Sequence, residues 1–262
     1  MTQTALITGA SSGIGKELAR LFARDGIDTV LVARSMDKLK ELKDELEREY
    51  RIKAYVFPCD LSIKDAAEEV YAFTEENGIV IDYLVNDAGF GDKSYFKDSD
   101  WDKQYRMIMT NIMALTHLTH KYLPGMCERK NGHILNIGSL TVLTAGPTMS
   151  IYFASKAYVR SFSEAIYEEA KKDNVYVTCF NPGPVATGFE KAAAAEGSAM
   201  YAKAFLKQAP DCAEKAYIAM KRKKALSYYP FYTKAANILT RLVPRALPRK
   251  ISFRFINDKY SE

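Results

Sequence analysis

Short apolar runs alternate with longer amphipathic stretches along most of the chain. "TALITG" (4–9), "DTVLVAR" (28–34), "AYVFPCDL" (54–61), "IDYLVNDAG" (81–89), "GHILNIGS" (132–139) and "VYVTCFNPG" (175–183) read as strands, and "ALSYYPF" (225–231) as a seventh. Runs that are apolar at nearly every position belong to strands buried on both faces. Between them the period lengthens. The first helix runs to Asp25 and stops at Gly26, and Leu39, Leu42 and Leu46 lie at i, i+3 and i+7 behind Ser35, a capping residue type. Ser62 is expected to cap the helix after the third strand. Strands alternating with helices predict an α/β fold with a doubly wound parallel sheet of about seven strands and helices on both faces. No internal repeat or low-complexity linker interrupts the pattern. Residues 1–231 therefore read as one domain, and 232–262 as an extension.

The turn after the first strand sharpens this picture. "TGASSGIG", Thr8 to Gly15, sits between a strand and a helix and is followed by a second apolar strand. Gly9 suits a sharp exit from the strand, Gly13 a close backbone approach, and Gly15 helix–sheet packing. The free amides at the helix N-terminus suit a pyrophosphate. That context turns a plain tight turn into a Rossmann-type dinucleotide site. At the end of the second strand Ala33 is followed by Arg34, where an acidic residue would select a ribose 2′-hydroxyl. A guanidinium there favours a 2′-phosphate, so the expected cofactor is NADP (NADPH) rather than NAD. The plain alternative is a solvated arginine at a helix start.

Composition adds two points. With 262 residues, 48% hydrophobic and 26% charged, the chain suits a soluble globular domain. Cys59, Cys127, Cys179 and Cys212 show no paired spacing, and His117 and His120 lack a nearby acidic or sulfur partner in sequence, so neither a disulfide framework nor a metal site is expected. No targeting segment or membrane-length apolar run is read, and a cytoplasmic protein is the expectation. The net charge of +5 is uneven. Residues 221–262 hold eleven Lys or Arg against two acids, +9, and the preceding residues hold 26 against 30, −4. Within this basic tail Tyr232, Ala235, Ala236, Leu239, Leu242 and Val243 form one apolar stripe, with Pro244 and Pro248 beyond it. Such a piece docks on its own domain, on a second subunit or weakly on an anionic membrane surface. No nucleic-acid module accompanies the charge.

"SIYFASKAY" (150–158) places Tyr152 and Lys156 four residues apart, on one face of a helix. The spacing alone is common. Taken with "TGASSGIG", "NDAG", "NIGS", "YFASK" and "NPG" in that order, however, the chain resembles the compact, single-domain branch of the short-chain dehydrogenase/reductase family over roughly residues 4 to 190. The resemblance implies an oxidoreductase interconverting a ketone or aldehyde and an alcohol, with catalytic Asn111, Ser139, Tyr152 and Lys156. Tyr152 would be the acid and base, Lys156 would lower its pKa and hold the nicotinamide ribose, Ser139 would bond the substrate oxygen, and Asn111 would hold a relay water. Cofactor contacts are implied at Gly9, Ser11, Ser12, Gly13, Ile14, Gly15, Arg34, Asp60, Leu61, Asn86, Ala88 and Gly89. Further contacts are implied at Tyr152 and Lys156, and near the nicotinamide at Pro182, Gly183, Val185 and Thr187.

Asp87 departs from the family's usual second asparagine, a side chain that generally braces the sheet, and this departure bears on local stability. Segment 187–210 would cover a lipophilic substrate (a steroid-, acyl- or other apolar carbonyl), with Ser139, Tyr152, Phe189, Met200, Tyr201 and Phe205 facing it. The aromatic residues there would equally serve as core. The expected partner is a small carbonyl or alcohol molecule, and the protein is expected to be a homo-oligomer, a dimer or tetramer. A cofactor-binding regulator without turnover and a sugar-nucleotide epimerase remain as other readings.

Overall fold

The computed structural model describes residues 2–195, 198–202 and 205–257. The apolar runs become β1 (Thr4–Thr8), β2 (Asp28–Ala33), β3 (Ala54–Pro58), β4 (Tyr83–Asn86), β5 (Gly132–Ile137) and β6 (Val175–Pro182). β7 (Val185–Ala186) and β8 (Lys207–Gln208) make a separate two-stranded pair, and β9 (Leu226–Tyr229) closes the main sheet. That sheet has seven strands, all parallel, in the order β3-β2-β1-β4-β5-β6-β9.

Period-2 geometry sends alternate strand residues to opposite faces, and both faces are buried. Ala5, Ile7, Leu31, Val85 and Leu135 face α1 (Gly13–Arg24), α2 (Met36–Tyr50) and, later in the chain, the helix Ala209–Lys221. Leu6, Val30, Val32, Leu84 and Ile134 face α3 (Ala66–Glu76) and the 115–128 and 150–170 helices. Phe22 of α1 is fully buried, its ring 5.2 Å from Tyr83 and 5.0 Å from Tyr217. It ties the first helix to the middle of the sheet.

The remaining helices are α4 (Trp101–Ile108), α5 (Leu115–Glu128), α6 (Ser150–Ala170), α7 (Phe189–Ala192), α8 (Ala209–Lys221), α9 (Phe231–Leu242) and α10 (Ala246–Asn257). Between α4 and α5 the backbone takes a π-helical turn over Met109–Ala114. A buried amide ladder locks α6 to the sheet. Asn86 Nδ2 donates to Asn136 Oδ1 at 2.9 Å, Asn136 Nδ2 donates to Ser163 Oγ at 2.9 Å, and Ser163 Oγ donates to the Val159 carbonyl at 2.6 Å. Each bond satisfies a polar group that would be costly to bury alone.

One capping expectation is corrected, and a second holds in position alone. Ser62 does not cap α3, which starts at Ala66 behind Asp65; its hydroxyl and amide instead donate to Asp60 Oδ1 at 2.7 and 3.0 Å, closing a local turn three residues too early for a cap. Ser35 does hold the N-cap position of α2 by its extended backbone, but its hydroxyl makes no bond to the helix amides.

Candidate active site

A cleft of about 1580 Å³ opens at the carboxyl ends of the strands, where β1 lies between β2 and β4 and the strand order reverses. Ligands of open α/β sheets bind at that switch point. The glycine turn forms one wall. Gly9 and Gly13 have φ of +72° and +57°, a left-handed region that glycine enters without strain. A Cβ on Gly13 would stand 3.0 Å from Thr187, and one on Gly15 would stand 2.7 Å from both the Gly9 carbonyl and Asp87 Oδ2. A backbone cradle with no room for side chains, ending at a helix N-terminus, fits a dinucleotide phosphate.

Further along the same wall lie exposed Arg34, just past β2, and exposed Lys38, in the first turn of α2. Asp60 at the end of β3 receives Arg106 Nη2 at 2.7 Å. Burial raises its carboxyl, but the Ser62 bonds and the charges of Arg106 and Arg34 hold it below the usual carboxylate range. This end of the cleft therefore offers a phosphate Arg34 and Lys38, which form no ion pair among the described residues, while Asp60 already has partners.

The opposite wall is α6. Tyr152 and Lys156 are both buried and both line the cleft, one helical turn apart. Lys156 Nζ donates to the Ile137 carbonyl at 2.7 Å, and the Ser139 hydroxyl at the end of β5 lies beside the Tyr152 phenol in the cleft. Burial pushes the phenol up to about 12; the Ser139 hydroxyl opposes that rise, and the Asp87 charge adds to it. Burial lowers Lys156, with Asp87 pulling the other way. The expected depression of the phenol by Lys156 is therefore replaced by a net rise, which comes first from burial, with the Asp87 charge adding to it.

Of the residues expected in the site, Ser11, Ser12, Ile14, Leu61, Ala88, Gly89, Pro182, Gly183, Val185, Thr187, Phe189 and Tyr201 also line the cleft. Gly15 lies beneath the turn, and Asn86 belongs to the amide ladder. Asn111 sits in the π-helical turn, behind the cleft wall. Its Oδ1 accepts from the Phe90 amide at 3.1 Å, and its Nδ2 donates to the Phe90 carbonyl at 3.0 Å and to Ser155 Oγ at 3.1 Å. Phe205 packs outside the cleft lining against Tyr232 and Phe255, with ring centroids 5.7 and 5.6 Å away. The Met200 side chain lies outside the described residues.

A model of the short chain dehydrogenase family matches residues 3–197. The chain belongs to that family. Very-long-chain 3-oxoacyl-CoA reductase of Rattus norvegicus is 34% identical over 191 residues, 71% of this chain and 61% of that protein. The Homo sapiens protein of that name is 35% identical, with the same shares of 71% and 61%. The chain thus spans less than two-thirds of the length of these curated relatives. A short-chain dehydrogenase from Sphingobium yanoikuyae, solved in complex with NADPH, superposes with a TM-score of 0.81 at 28% identity, covering 93% of this chain and 97% of that one.

Within the short chain dehydrogenase frame, Asp87 carries more than its sequence position suggested. It lines the cleft, its carboxyl lies against the Gly9 and Gly15 backbone, and its charge acts on both Lys156 and Tyr152. The resemblance tied the change from asparagine at this position to local stability rather than to the site. The signal that it differed was the replaced asparagine itself, but its neighbours come from α1 and α6, remote in sequence.

Burial raises the Asp87 carboxyl well above its ordinary value, with Lys156 and the Gly15 amide opposing the rise. A raised folded-state pKa means that the folded protein binds the proton more tightly than the unfolded chain does. The stability that this proton confers is complete below the ordinary carboxylate value, near ~3.9, and is lost as pH rises through the raised one. Thermal unfolding across that window should show wild type losing stability relative to Asp87→Asn, with the gap level above it. Parallel curves for the two proteins would mean that Asp87 does not titrate abnormally.

Proposed function

We propose that this chain is an NADP(H)-dependent oxidoreductase that interconverts a lipophilic ketone and its alcohol, with Tyr152 as proton donor and acceptor. The observation that carries this reading is the Tyr152 hydroxyl, set in the cleft beside Ser139, one helical turn from Lys156 and across from the glycine cradle. NADPH, when bound, supplies a hydride to the carbonyl carbon. The oxygen left behind gains negative charge, and the protein's task is to meet it. Ser139 offers a hydroxyl to that oxygen, and the Tyr152 phenol delivers the proton. Lys156 lies beside the phenol and stabilises the phenolate that this transfer leaves. The glycine turn and the Arg34 and Lys38 side chains would hold the cofactor's phosphates, and Arg34 supports NADP over NAD.

The substrate end of the cleft supports the lipophilic part of the reading. The Phe189 ring lies 5.2 Å from that of Tyr152, and Tyr201, Leu239, Val243, Leu247, Ile251 and Phe255 continue the lining outward. Relatives named for reducing very-long-chain 3-oxoacyl-CoA make an acyl-chain ketone the favoured member of this class. A solved alcohol dehydrogenase from Comamonas testosteroni, described as specific for bulky-bulky ketones, superposes at a TM-score of 0.77 and 27% identity over 93% of this chain and 96% of its own.

Two experiments test this reading. NADPH oxidation driven by a 3-oxoacyl thioester should fall by about 10²–10⁴-fold in Tyr152→Phe, with NADPH affinity unchanged, because the ring and its packing stay while the transferable proton goes. Comparable turnover would remove Tyr152 from the chemistry. Arg34→Asp should weaken NADPH at least about tenfold more than NADH by fluorescence titration, since an attractive charge at the 2′-phosphate becomes a repulsive one. Equal losses for both cofactors would leave Arg34 structural.

A further inference from the structure

Residues 231–257 contain Lys234, Arg241, Arg245, Arg249, Lys250 and Arg254, and no aspartate or glutamate. All six cations are exposed, and among the described residues none forms an ion pair. Large apolar side chains lie among them: Phe231 is 81% exposed, Leu242 75%, Leu239 61%, Ile251 57% and Ile238 54%. On α9, Phe231, Ile238 and Leu242 fall at i, i+7 and i+11, one face of the helix, with Lys234 and Arg241 along its border.

This face points outward because the other one is anchored. Thr233 is fully buried, and its hydroxyl donates to the Pro230 carbonyl at 2.6 Å, while Asn237 Oδ1 accepts from Tyr228 at 3.2 Å and from Arg160 at 3.4 Å. α10 is anchored through Ile256, buried in a cluster with Met107, Met149 and Tyr152. The stripe expected from sequence is thereby divided. Ala236, Leu239 and Val243 line the cleft, and Leu242 turns outward beside Ile238 and Phe231.

We infer that the outer faces of α9 and α10 form a docking surface for an anionic lipid bilayer, with the cleft opening onto it. Apolar side chains bordered by cations without acids match the two layers such a surface presents, acyl chains below and anionic headgroups above. A second copy of this chain fits the charge poorly. A twofold-symmetric contact sets the same patch against itself, so the six cations of one copy would face six of the other without one acid to pair them. The exposed residues Leu239, Leu247, Ile251 and Phe255 also line the cleft, so the bilayer would meet an apolar mouth. Delivery of an apolar substrate straight from lipid rests on the function proposed above; the docking does not, because it involves only the outer faces. No described helix is long and apolar enough to cross a membrane, so attachment would be peripheral.

Vesicle co-sedimentation of the full chain tests this directly. With phosphatidylcholine vesicles containing about 30% phosphatidylserine, binding at low salt should exceed that to pure phosphatidylcholine by more than about tenfold, and should fall as salt screens the charges. Lys250→Glu with Arg254→Glu, and separately Ile238→Asp with Leu242→Asp, should each lower binding by at least about tenfold, the order expected when the charge attraction or the apolar contact is removed. All four residues lie outside the cleft lining, so circular dichroism, sedimentation velocity without lipid, and reduction of a small water-soluble ketone should match wild type. The inference is overturned if wild type ignores anionic vesicles at low salt, or if it binds neutral ones equally. It is also overturned if either variant binds as wild type does. A change of oligomeric state in the Ile238→Asp, Leu242→Asp variant would assign the face to a second copy instead. Intact vesicle binding with no ketone reduction would count against the proposed activity and leave the docking surface standing.

Discussion

Burying an ammonium in a protein costs several kcal/mol unless an acceptor and a counter-charge meet it. Lys156 is met by both, through the Ile137 carbonyl at the end of β5 and the Asp87 carboxyl beyond the end of β4. Neither group can be supplied unless α6 lies across the carboxyl ends of those two strands. The Asn86–Asn136–Ser163 ladder holds it there, so the polar interior of the sheet and the placement of the cleft's charged group are one arrangement. The apolar clusters on either face stabilise the sheet, but they do not specify where along it the helix stops.

From this placement the rest of the cleft follows. Tyr152 comes one turn before Lys156 and thus reaches Ser139. Asp87, whose charge acts on Lys156, also lies against Gly9 and Gly15, so one carboxyl stands between the glycine turn and the tyrosine–lysine wall. A carboxylate this near a phosphate cradle opposes an incoming anion, whereas the same carboxyl protonated does not. The charge balance of the cleft therefore depends on a residue that contributes no group to the proposed proton transfer.

The sequence made the fold legible because strands buried on both faces carry an unmistakable pattern, and because the glycine turn and the Tyr152–Lys156 spacing are local. Features built by remote contacts were not legible. Asp60 meets Arg106 across 46 positions, and Asp87 meets α1 and α6, so their partners appear only when the sheet has been assembled. Ser62 looked like a helix cap because residue type and position are local signals; the competing acceptor, Asp60, was equally local and won. The direction of the α9 stripe required knowing which side of the helix Thr233 and Asn237 anchor, and periodicity alone carries no such information. Asn111 could be placed in a helix by pattern, whereas the π-helical turn that aims its amide at Phe90 could not.

The account rests on Lys156 and Asp87 forming one charge-balanced unit, and a double-mutant cycle in unfolding free energy measures that coupling most directly. The cycle compares wild type, Lys156→Met, Asp87→Asn and the double variant at a pH above the raised value of Asp87. Lys156→Met alone should lower the stability, because it leaves a carboxylate without its cation. Adding Asp87→Asn should return most of that loss, so that the double variant is more stable than Lys156→Met. Losses that simply add would contradict the account, since the two groups would then be independent.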